Sequence, residues 1–186
     1  MAEITGETSF QELAAIISQA LEAHGIVATL SGGAAVSIYT ENRYQSYDLD
    51  FVSSAAISML AKAVEGLGFV EGDAKRLFAH PDIPWLLEFP AGPLGFGDKV
   101  VDASGLEAIT TPFGPLRVIT PTLRVMDRLA AFLHWRDRQC YEQATWVAQN
   151  HTVDWDEIKA WAASEGMTMD DWEQFYQSGC RIMADY

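Results

Sequence analysis

Hydrophobic and polar positions in the first forty residues predict a helix, a strand, a glycine turn and a second helix. Ser9 and Glu12 have the Ser-x-x-Glu spacing of a capping box, and apolar residues then recur at helical spacing as far as Gly25. The apolar residues 26–30 predict a strand, and residues 34–39 predict a short helix. The glycines between them form the turn that joins strand to helix.

Short elements continue as far as Pro90. They are a strand at 47–52, a helix at 54–67, a hairpin or an edge pair of strands from 69–70 and 76–79, and a strand at 85–89. The Gly- and Pro-rich segment 91–115 indicates only two short strands, at 100–101 and 108–109.

The pattern becomes helical after residue 119. Thr120 is a predicted N-cap with Pro121 at the first helical position, and further helices are predicted to start at Asp154 and Thr168. Apolar residues predicted on the last helix are Trp172, Phe175, Tyr176, Ile182 and Met183. We expect an α/β (α+β) fold in which residues 1–119 form a small mixed sheet flanked by helices. The C-terminal helical segment, residues 120–186, is expected to pack on that core.

Composition limits the classes of function. The chain of 186 residues carries 26 Asp and Glu against 12 Lys and Arg, a formal net charge of -14, which argues against non-specific binding to nucleic acid. No apolar run approaches the roughly 20 residues that span a bilayer, and the N-terminus lacks the pattern of a secretory signal. We therefore expect a soluble, cytoplasmic protein without membrane contact.

A few residue types need a separate interpretation. Cys140 and Cys180 have no metal or redox spacing and are expected to be reduced. Five tryptophans in the helical part have core-like spacing and are predicted to be buried rather than to stack a base: Trp135, Trp146, Trp155, Trp161 and Trp172. Five arginines form a predicted positive cluster on the otherwise acidic chain: Arg117, Arg124, Arg128, Arg136 and Arg138.

Two aspartates lie at alternate positions of one predicted strand. Acidic pairs at this spacing occur four times, but only Asp48 and Asp50 fall within a strand pattern. Residues i and i+2 of a strand share a face about 7 Å apart, so both carboxylates could bind the same divalent ions. The alternative is an exposed strand whose acids face water. These residues alone do not favour the metal site over the exposed strand.

The glycine turn favours a phosphate site. Gly32 and Gly33, preceded by Ser31, lie between a strand and a helix, where backbone amides and the helix N-terminus attract an anion. An ordinary tight turn is the alternative. Because only a short helix and a loop separate this turn from the aspartates, phosphates and metal could share one cleft.

The run from Leu30 to Ala35 and the run from Arg43 to Phe51 together resemble the signature of the DNA polymerase β-like nucleotidyltransferases. Within these, the chain is most similar to the AbiEii and MenT-type toxins, which share a Gly-Gly turn, an arginine and an Asp-x-Asp strand. The resemblance covers the first half of the chain. It implies the nucleotidyltransferase fold, a third catalytic carboxylate, matched by Glu88, and a basic residue for the triphosphate on the helical part, matched by Arg128.

We therefore predict that the protein transfers a nucleoside monophosphate from a nucleoside triphosphate to a hydroxyl. Asp48, Asp50 and Glu88 would be catalytic and would hold Mg²⁺, with two ions expected and Mn²⁺ as an alternative. Ser31, Gly32, Gly33, Arg43 and Arg128 would bind the nucleotide. The acceptor is open among an RNA end, a protein and a small molecule. The alternatives are a catalytically idle module that binds a protein partner, as in toxin-antitoxin pairs, and a metal-dependent nuclease.

Overall fold

The computed structural model describes residues 3–181 and shows a mixed α/β architecture. Its helices are α1 (Phe10–Ala23), α2 (Gly32–Tyr39), α3 (Ile57–Glu65), α4 (Pro121–Trp135), α5 (Arg138–Asn150), α6 (Trp155–Ser164) and α7 (Met169–Gly179), with a 3₁₀ turn at Ala103–Gly105. Its strands are β1 (Thr29–Leu30), β2 (Asp48–Val52), β3 (Val70–Glu71), β4 (Leu77–Ala79), β5 (Leu86–Glu88), β6 (Gly95–Phe96), β7 (Lys99–Val100), β8 (Ile109–Thr111) and β9 (Gly114–Leu116). The predicted fold class, a small mixed sheet with helices, is confirmed.

The main sheet has the strand order β1-β2-β5-β4-β3. Strands β2 and β5 run parallel, and the other neighbours in this sheet are antiparallel. In β2, Leu49 and Phe51 are fully buried while the alternate residues are only half-buried, and Leu87 repeats this on β5. One face of the sheet therefore belongs to the core, and the other is more accessible and carries Asp48, Asp50 and Glu88.

Local signals explain where most elements begin. The Ser9 hydroxyl accepts from Glu12 N, and the Glu12 side chain accepts in return from Ser9 N, so the capping box at α1 is confirmed. Thr120 and Asp154 cap α4 and α6 through their side chains, as the sequence indicates. The strand predicted over 26–30 is shorter than expected, because Ile26 N still bonds to Leu21 O at 3.0 Å at the end of α1.

Contacts divide the described chain into two compact units. Unit 1 comprises the N-terminal residues up to 35, residues 45–94 and residues 101–119, and it contains the main sheet. Unit 2 comprises residues 36–44, residues 95–100 and the residues from 120 onwards, and it contains α4 to α7. The packing of residues 120–186 on a core of residues 1–119 stays a prediction.

Within unit 2, a left-handed residue separates α4 from α5. Arg136 has φ 58°, and Asp137 then caps α5 by accepting from Gln139 N and Cys140 N. Trp135, the last residue of α4, is 76% exposed, so its predicted core position is wrong. The reason is that the chain turns at Arg136 directly after it, and within residues 3–181 the ring stays largely uncovered. Trp161 and Trp172 are buried as predicted, whereas Trp146 and Trp155 are half-buried.

Other predictions have simpler outcomes. Tyr176 is 43% exposed, and Ile182 and Met183 lie outside the described residues. Cys140 and Cys180 are free thiols, as expected. Among the helices of residues 3–181, none has the length and apolar character required to cross a bilayer.

Candidate active site

Asp48 and Asp50 are presented by β2 on the sheet face that does not enter the core. The residue between them, Leu49, points to the opposite face and is fully buried, whereas both aspartates are half-buried. The pleat of the strand thus fixes the two carboxylates on one side. The hydroxyl of Ser46 donates to Asp48 Oδ1 at 2.8 Å and restrains that side chain.

Glu88 is brought to the aspartates by the parallel pairing of β2 with β5. The register places Asp50 directly beside Glu88, so the two side chains share the same sheet face. One carboxylate oxygen from each of Asp48, Asp50 and Glu88 lies within 4.8 Å of the other two. We call these three residues the acid cluster. The structure thus brings Glu88 beside the two aspartates, and its role as the third catalytic carboxylate stays a prediction.

The acid cluster has the ligand type and spacing that a hard divalent cation such as Mg²⁺ requires. Carboxylate oxygens are the ligands that Mg²⁺ takes, and a distance of 4.8 Å is little more than the ~4.2 Å between opposite ligands around Mg²⁺. None of the three residues is buried, so substrate oxygens and water could complete the coordination. Three like charges at this spacing repel one another, and a cation would relieve that repulsion.

The glycine turn lies directly against Asp50. Ser31 N donates to Asp50 O at 2.9 Å, and α2 begins at the next residue, Gly32. Gly32 has φ +56°, and a Cβ placed there would lie 2.7 Å from Asp50 Cγ. Only glycine permits both the backbone conformation and the close approach of the carboxylate. The turn and the acid cluster are therefore parts of one site in unit 1.

Arg128 lies in unit 2 at the centre of a polar network. Its Nε donates to Asp127 Oδ2 at 3.0 Å, its Nη2 lies 2.9 Å from the same oxygen, and its side chain is 19% exposed. Its Nη1 bonds to Cys140 Sγ and Gln143 Oε1, each at 3.4 Å. These contacts fix the plane of the guanidinium, which leaves fewer N–H groups for a triphosphate than an unpaired arginine would offer.

Arg124 shares the same aspartate, and its side chain is 0% exposed and paired with Asp127. Its charge is therefore not on the surface, which corrects the prediction of a continuous positive cluster. Burial raises the pKa of the neighbouring Tyr39 hydroxyl, and Arg124 opposes that rise. Burial likewise raises the pKa of the Cys140 thiol, while Arg128 opposes it.

Arg43, in the loop after α2, is also placed in unit 2. Its guanidinium carbon lies 4.5 Å from the ring centroid of Trp146, which is a cation–π contact. The side chain of His151 supports the same loop, because its Nε2 lies 2.7 Å from Tyr39 O. Arg43 remains exposed at one side, so its predicted contact with a nucleotide stays a prediction.

The residues that hold Asp48 and Arg128 in place were not predicted from the sequence. Ser46 was visible in the sequence, and its spacing to Asp48 could have suggested the hydrogen bond that forms. Cys140 and Gln143 contact Arg128 from another helix, α5, and no local signal connects them with α4.

Several solved structures share this fold. The chain is similar to an antigenic nucleotidyltransferase-like protein from Paracoccidioides brasiliensis, with a TM-score of 0.62, 11% identity, and 95% of each chain covered. It is also similar to the antibiotic-resistance factor ANT(2'')-Ia in solution, with a TM-score of 0.53 and 16% identity over 90% of this chain and 96% of that one. The chain has the nucleotidyltransferase fold.

A further match has the same fold. The structure of ANT(2'')-Ia in complex with adenylyl-2''-tobramycin matches with a TM-score of 0.52 and 17% identity, over 84% of this chain and 97% of that one. No protein-family model matches the sequence, and no curated protein shows significant similarity to it. At such low identities the likeness concerns the fold, so activity has to be argued from the residues of the site.

Proposed function

We propose that the protein is a Mg²⁺-dependent nucleotidyltransferase, which moves a nucleoside monophosphate from a nucleoside triphosphate to a hydroxyl acceptor. The observation that carries this proposal is the acid cluster lying against the Gly32 turn. Three carboxylates beside a helix N-terminus that can accept phosphate are the groups that this reaction requires. A nuclease would use the carboxylates but would not need a triphosphate site.

Asp48, Asp50 and Glu88 would hold the ions, with two Mg²⁺ expected and Mn²⁺ as an alternative. When bound, the ions would neutralise phosphate charge and make the acceptor oxygen more nucleophilic. Ser46 keeps Asp48 in place through its hydrogen bond, so the cluster is partly preorganised. Gly32, which lacks a side chain, lets the Asp50 carboxylate lie directly against the turn.

The phosphates would bind at Ser31, Gly32 and Gly33. Backbone N–H groups at the start of α2 and the positive end of its dipole favour a polyanion there. Arg43 and Arg128 would contribute positive charge to the triphosphate. Arg128 would do so through the N–H groups that its contacts with Asp127, Cys140 and Gln143 leave open.

In the proposed reaction, the acceptor oxygen attacks the α-phosphorus and forms a new P–O bond. The bond between the α-phosphorus and the oxygen that bridges to the β-phosphate breaks, and pyrophosphate leaves with the bonding electron pair. The hydroxyl proton passes to the carboxylate of Glu88, which would act as general base. The structure of ANT(2'')-Ia in complex with adenylyl-2''-tobramycin supports the proposal, because that ligand is an adenylylated small molecule.

We also propose that the chain is related to the AbiEii and MenT-type toxins, which its sequence resembles. A relationship to AbiEii and MenT-type toxins would imply an RNA end as acceptor and a protein antitoxin as partner. The net charge of -14 favours a protein or small-molecule acceptor instead, because an RNA brings one negative charge per nucleotide.

Calorimetry with ATP, GTP, CTP and UTP, each in Mg²⁺ and in EDTA, tests the proposal. We expect one or more triphosphates to bind in Mg²⁺ and to lose most of that affinity in EDTA. Asp48→Asn combined with Asp50→Asn should abolish the metal-dependent part while the fold survives. Arg128→Ala should weaken triphosphate more than monophosphate. If no triphosphate binds in Mg²⁺, a catalytically idle module that binds a protein partner explains the fold better. If the double Asn variant binds triphosphate as tightly as wild type, the site lies elsewhere.

A further inference from the structure

The sheet face that carries the acid cluster continues as an apolar surface. Register places Leu86 beside Asp48, and it places Leu77 beside Glu88. Further along β4, Ala79 pairs with Val70 of the edge strand β3. Directly paired residues share a sheet face, so these four apolar side chains lie on the same side as the acids. We call them the apolar strip: Leu86, Leu77, Ala79 and Val70.

The apolar strip is accessible and is not part of the core. Leu86 is 39% exposed and Val70 is 61% exposed, and Leu77 and Ala79 are half-buried. Their neighbours on the other face behave differently, because Leu87 and Phe78 are almost completely buried. An exposed apolar strip that borders a candidate active site indicates a binding surface.

The order of the strands decides which substrate would meet the strip. Across the sheet, the Gly32 turn follows β1, the aspartates lie on β2, Glu88 lies on β5, and the strip extends over β5, β4 and β3. With the phosphates at the turn, an in-line attack brings the acceptor from the side away from the leaving pyrophosphate. That side is occupied by Glu88 and then by the apolar strip.

Charge and size define the acceptor further. The strip has no charged member, and the segment from Glu71 to Arg76 at its outer edge carries two acids, Glu71 and Asp73, against two bases, Lys75 and Arg76. This surface does not attract the phosphates of a nucleic acid. From β5 to β3 the strip spans two strand spacings, about 10 Å, which suits one or two rings.

We propose that the acceptor is a small molecule whose reactive hydroxyl is attached to an uncharged, ring-containing apolar body. The hydroxyl would lie at Glu88 and the body would cover the apolar strip. The hydroxyl oxygen bonds to the α-phosphorus, its proton goes to Glu88, and pyrophosphate departs. The assignment rests on the proposed nucleotidyl transfer and adds the class of acceptor.

The test uses 7-hydroxy-4-methylcoumarin, a two-ring hydroxyl compound, titrated into the full chain in Mg²⁺ and followed by its fluorescence in a mildly acidic buffer, which keeps its phenol uncharged. We expect saturable binding that Leu86→Gln or Leu77→Gln weakens about 5- to 10-fold, because each change puts an amide under the ring. Met59→Gln, at a methionine of α3 that is 50% exposed and lines a cavity that no strip residue lines, is the matched control and should change nothing. Tobramycin and an RNA hairpin ending in CCA are titrated in parallel.

Each contrary result has a definite meaning. The proposal is overturned if the coumarin does not bind, if Met59→Gln weakens it as much as Leu86→Gln, or if RNA or tobramycin binds more tightly. Should both leucine variants lose their far-UV circular dichroism, Val70→Gln at the exposed edge decides in their place. Triphosphate binding without coumarin binding overturns the acceptor assignment alone. Coumarin binding without triphosphate binding overturns both that assignment and the nucleotidyl transfer.

Discussion

The acid cluster of unit 1 and the arginine pair of unit 2 differ in how their charges are balanced. The acid cluster is made of carboxylates, whereas the arginine pair, Arg124 and Arg128, includes a carboxylate partner. Asp48, Asp50 and Glu88 bring three like charges within 4.8 Å on a face that stays open to solvent. Arg124 and Arg128 instead share one carboxylate, that of Asp127, in partly or fully buried surroundings. The acid cluster gathers negative charge that a ligand can balance. In the arginine pair, Asp127 already balances one of the two positive charges.

The comparison suggests how each group contributes to stability and to function. A buried ion pair is costly to break because one charge is left without compensation, so Asp127 should matter mainly for folding. An exposed group of like charges costs stability and is retained where a ligand uses it. Removing negative charge should therefore destabilise the protein at Asp127 and stabilise it in the acid cluster.

Asp127→Ala should have the largest effect on stability. It leaves Arg124, with a side chain that is 0% exposed, without the carboxylate that balances it. Removing one partner of a buried pair costs about 3–5 kcal/mol, and we expect that loss in the free energy of unfolding measured with urea. Glu173→Ala, at an exposed acid of α7, is the control and should change stability by less than about 0.5 kcal/mol. Equal effects of the two variants would contradict the internal pairing.

Gly32→Ala should have the next largest effect. Its φ of +56° costs a residue with a side chain about 1–2 kcal/mol, and the added methyl group would also collide with Asp50. Gly25→Ala separates the two causes, because Gly25 has φ +68° but nothing within 4 Å of its would-be Cβ. We expect Gly32→Ala to lower the melting temperature more than Gly25→Ala. If both lower it equally, the contact between the turn and Asp50 has no energetic role.

Replacing both aspartates of β2 by asparagine should stabilise the protein in the absence of divalent ions. The change removes two charges from the acid cluster and keeps the size of each side chain, so we expect a gain of about 0.5–2 kcal/mol in the free energy of unfolding. Glu71→Gln with Asp73→Asn, another acidic pair at the same spacing, should give no such gain. Thermal melts in EDTA would show it, and a loss of stability in the β2 variant would contradict the repulsion.

Ser46→Ala should have the smallest effect. It removes one hydrogen bond to Asp48, which corresponds to about 1 kcal/mol and roughly fivefold weaker Mg²⁺-dependent binding of a triphosphate. Ser58→Ala, at an exposed serine of α3, is the matched control for calorimetry. An unchanged affinity for Ser46→Ala would mean that Asp48 holds its position without this bond.

The same contrast explains which features could be predicted from the sequence. Strand periodicity is a backbone property, so the shared face of Asp48 and Asp50 followed from their spacing. The position of Glu88 followed from the family resemblance, and the parallel register of β2 and β5 places it there. Arg124 is different, because its burial depends on contacts that no periodicity records. The short strands β6 to β9 were only partly predicted, since Gly95, Gly114 and Pro115 are weak strand formers whose pairing depends on the partner strand.

Electron paramagnetic resonance of Mn²⁺, recorded with and without a triphosphate, measures directly whether the acid cluster holds a metal. We expect wild type to bind Mn²⁺ and a bound triphosphate to tighten this binding, because its oxygens complete the coordination. Glu88→Gln should weaken Mn²⁺ binding, and Asp48→Asn with Asp50→Asn should remove it. Mn²⁺ binding that survives all these changes, or wild type that binds no Mn²⁺ even with a triphosphate present, would contradict the acid cluster as the metal site.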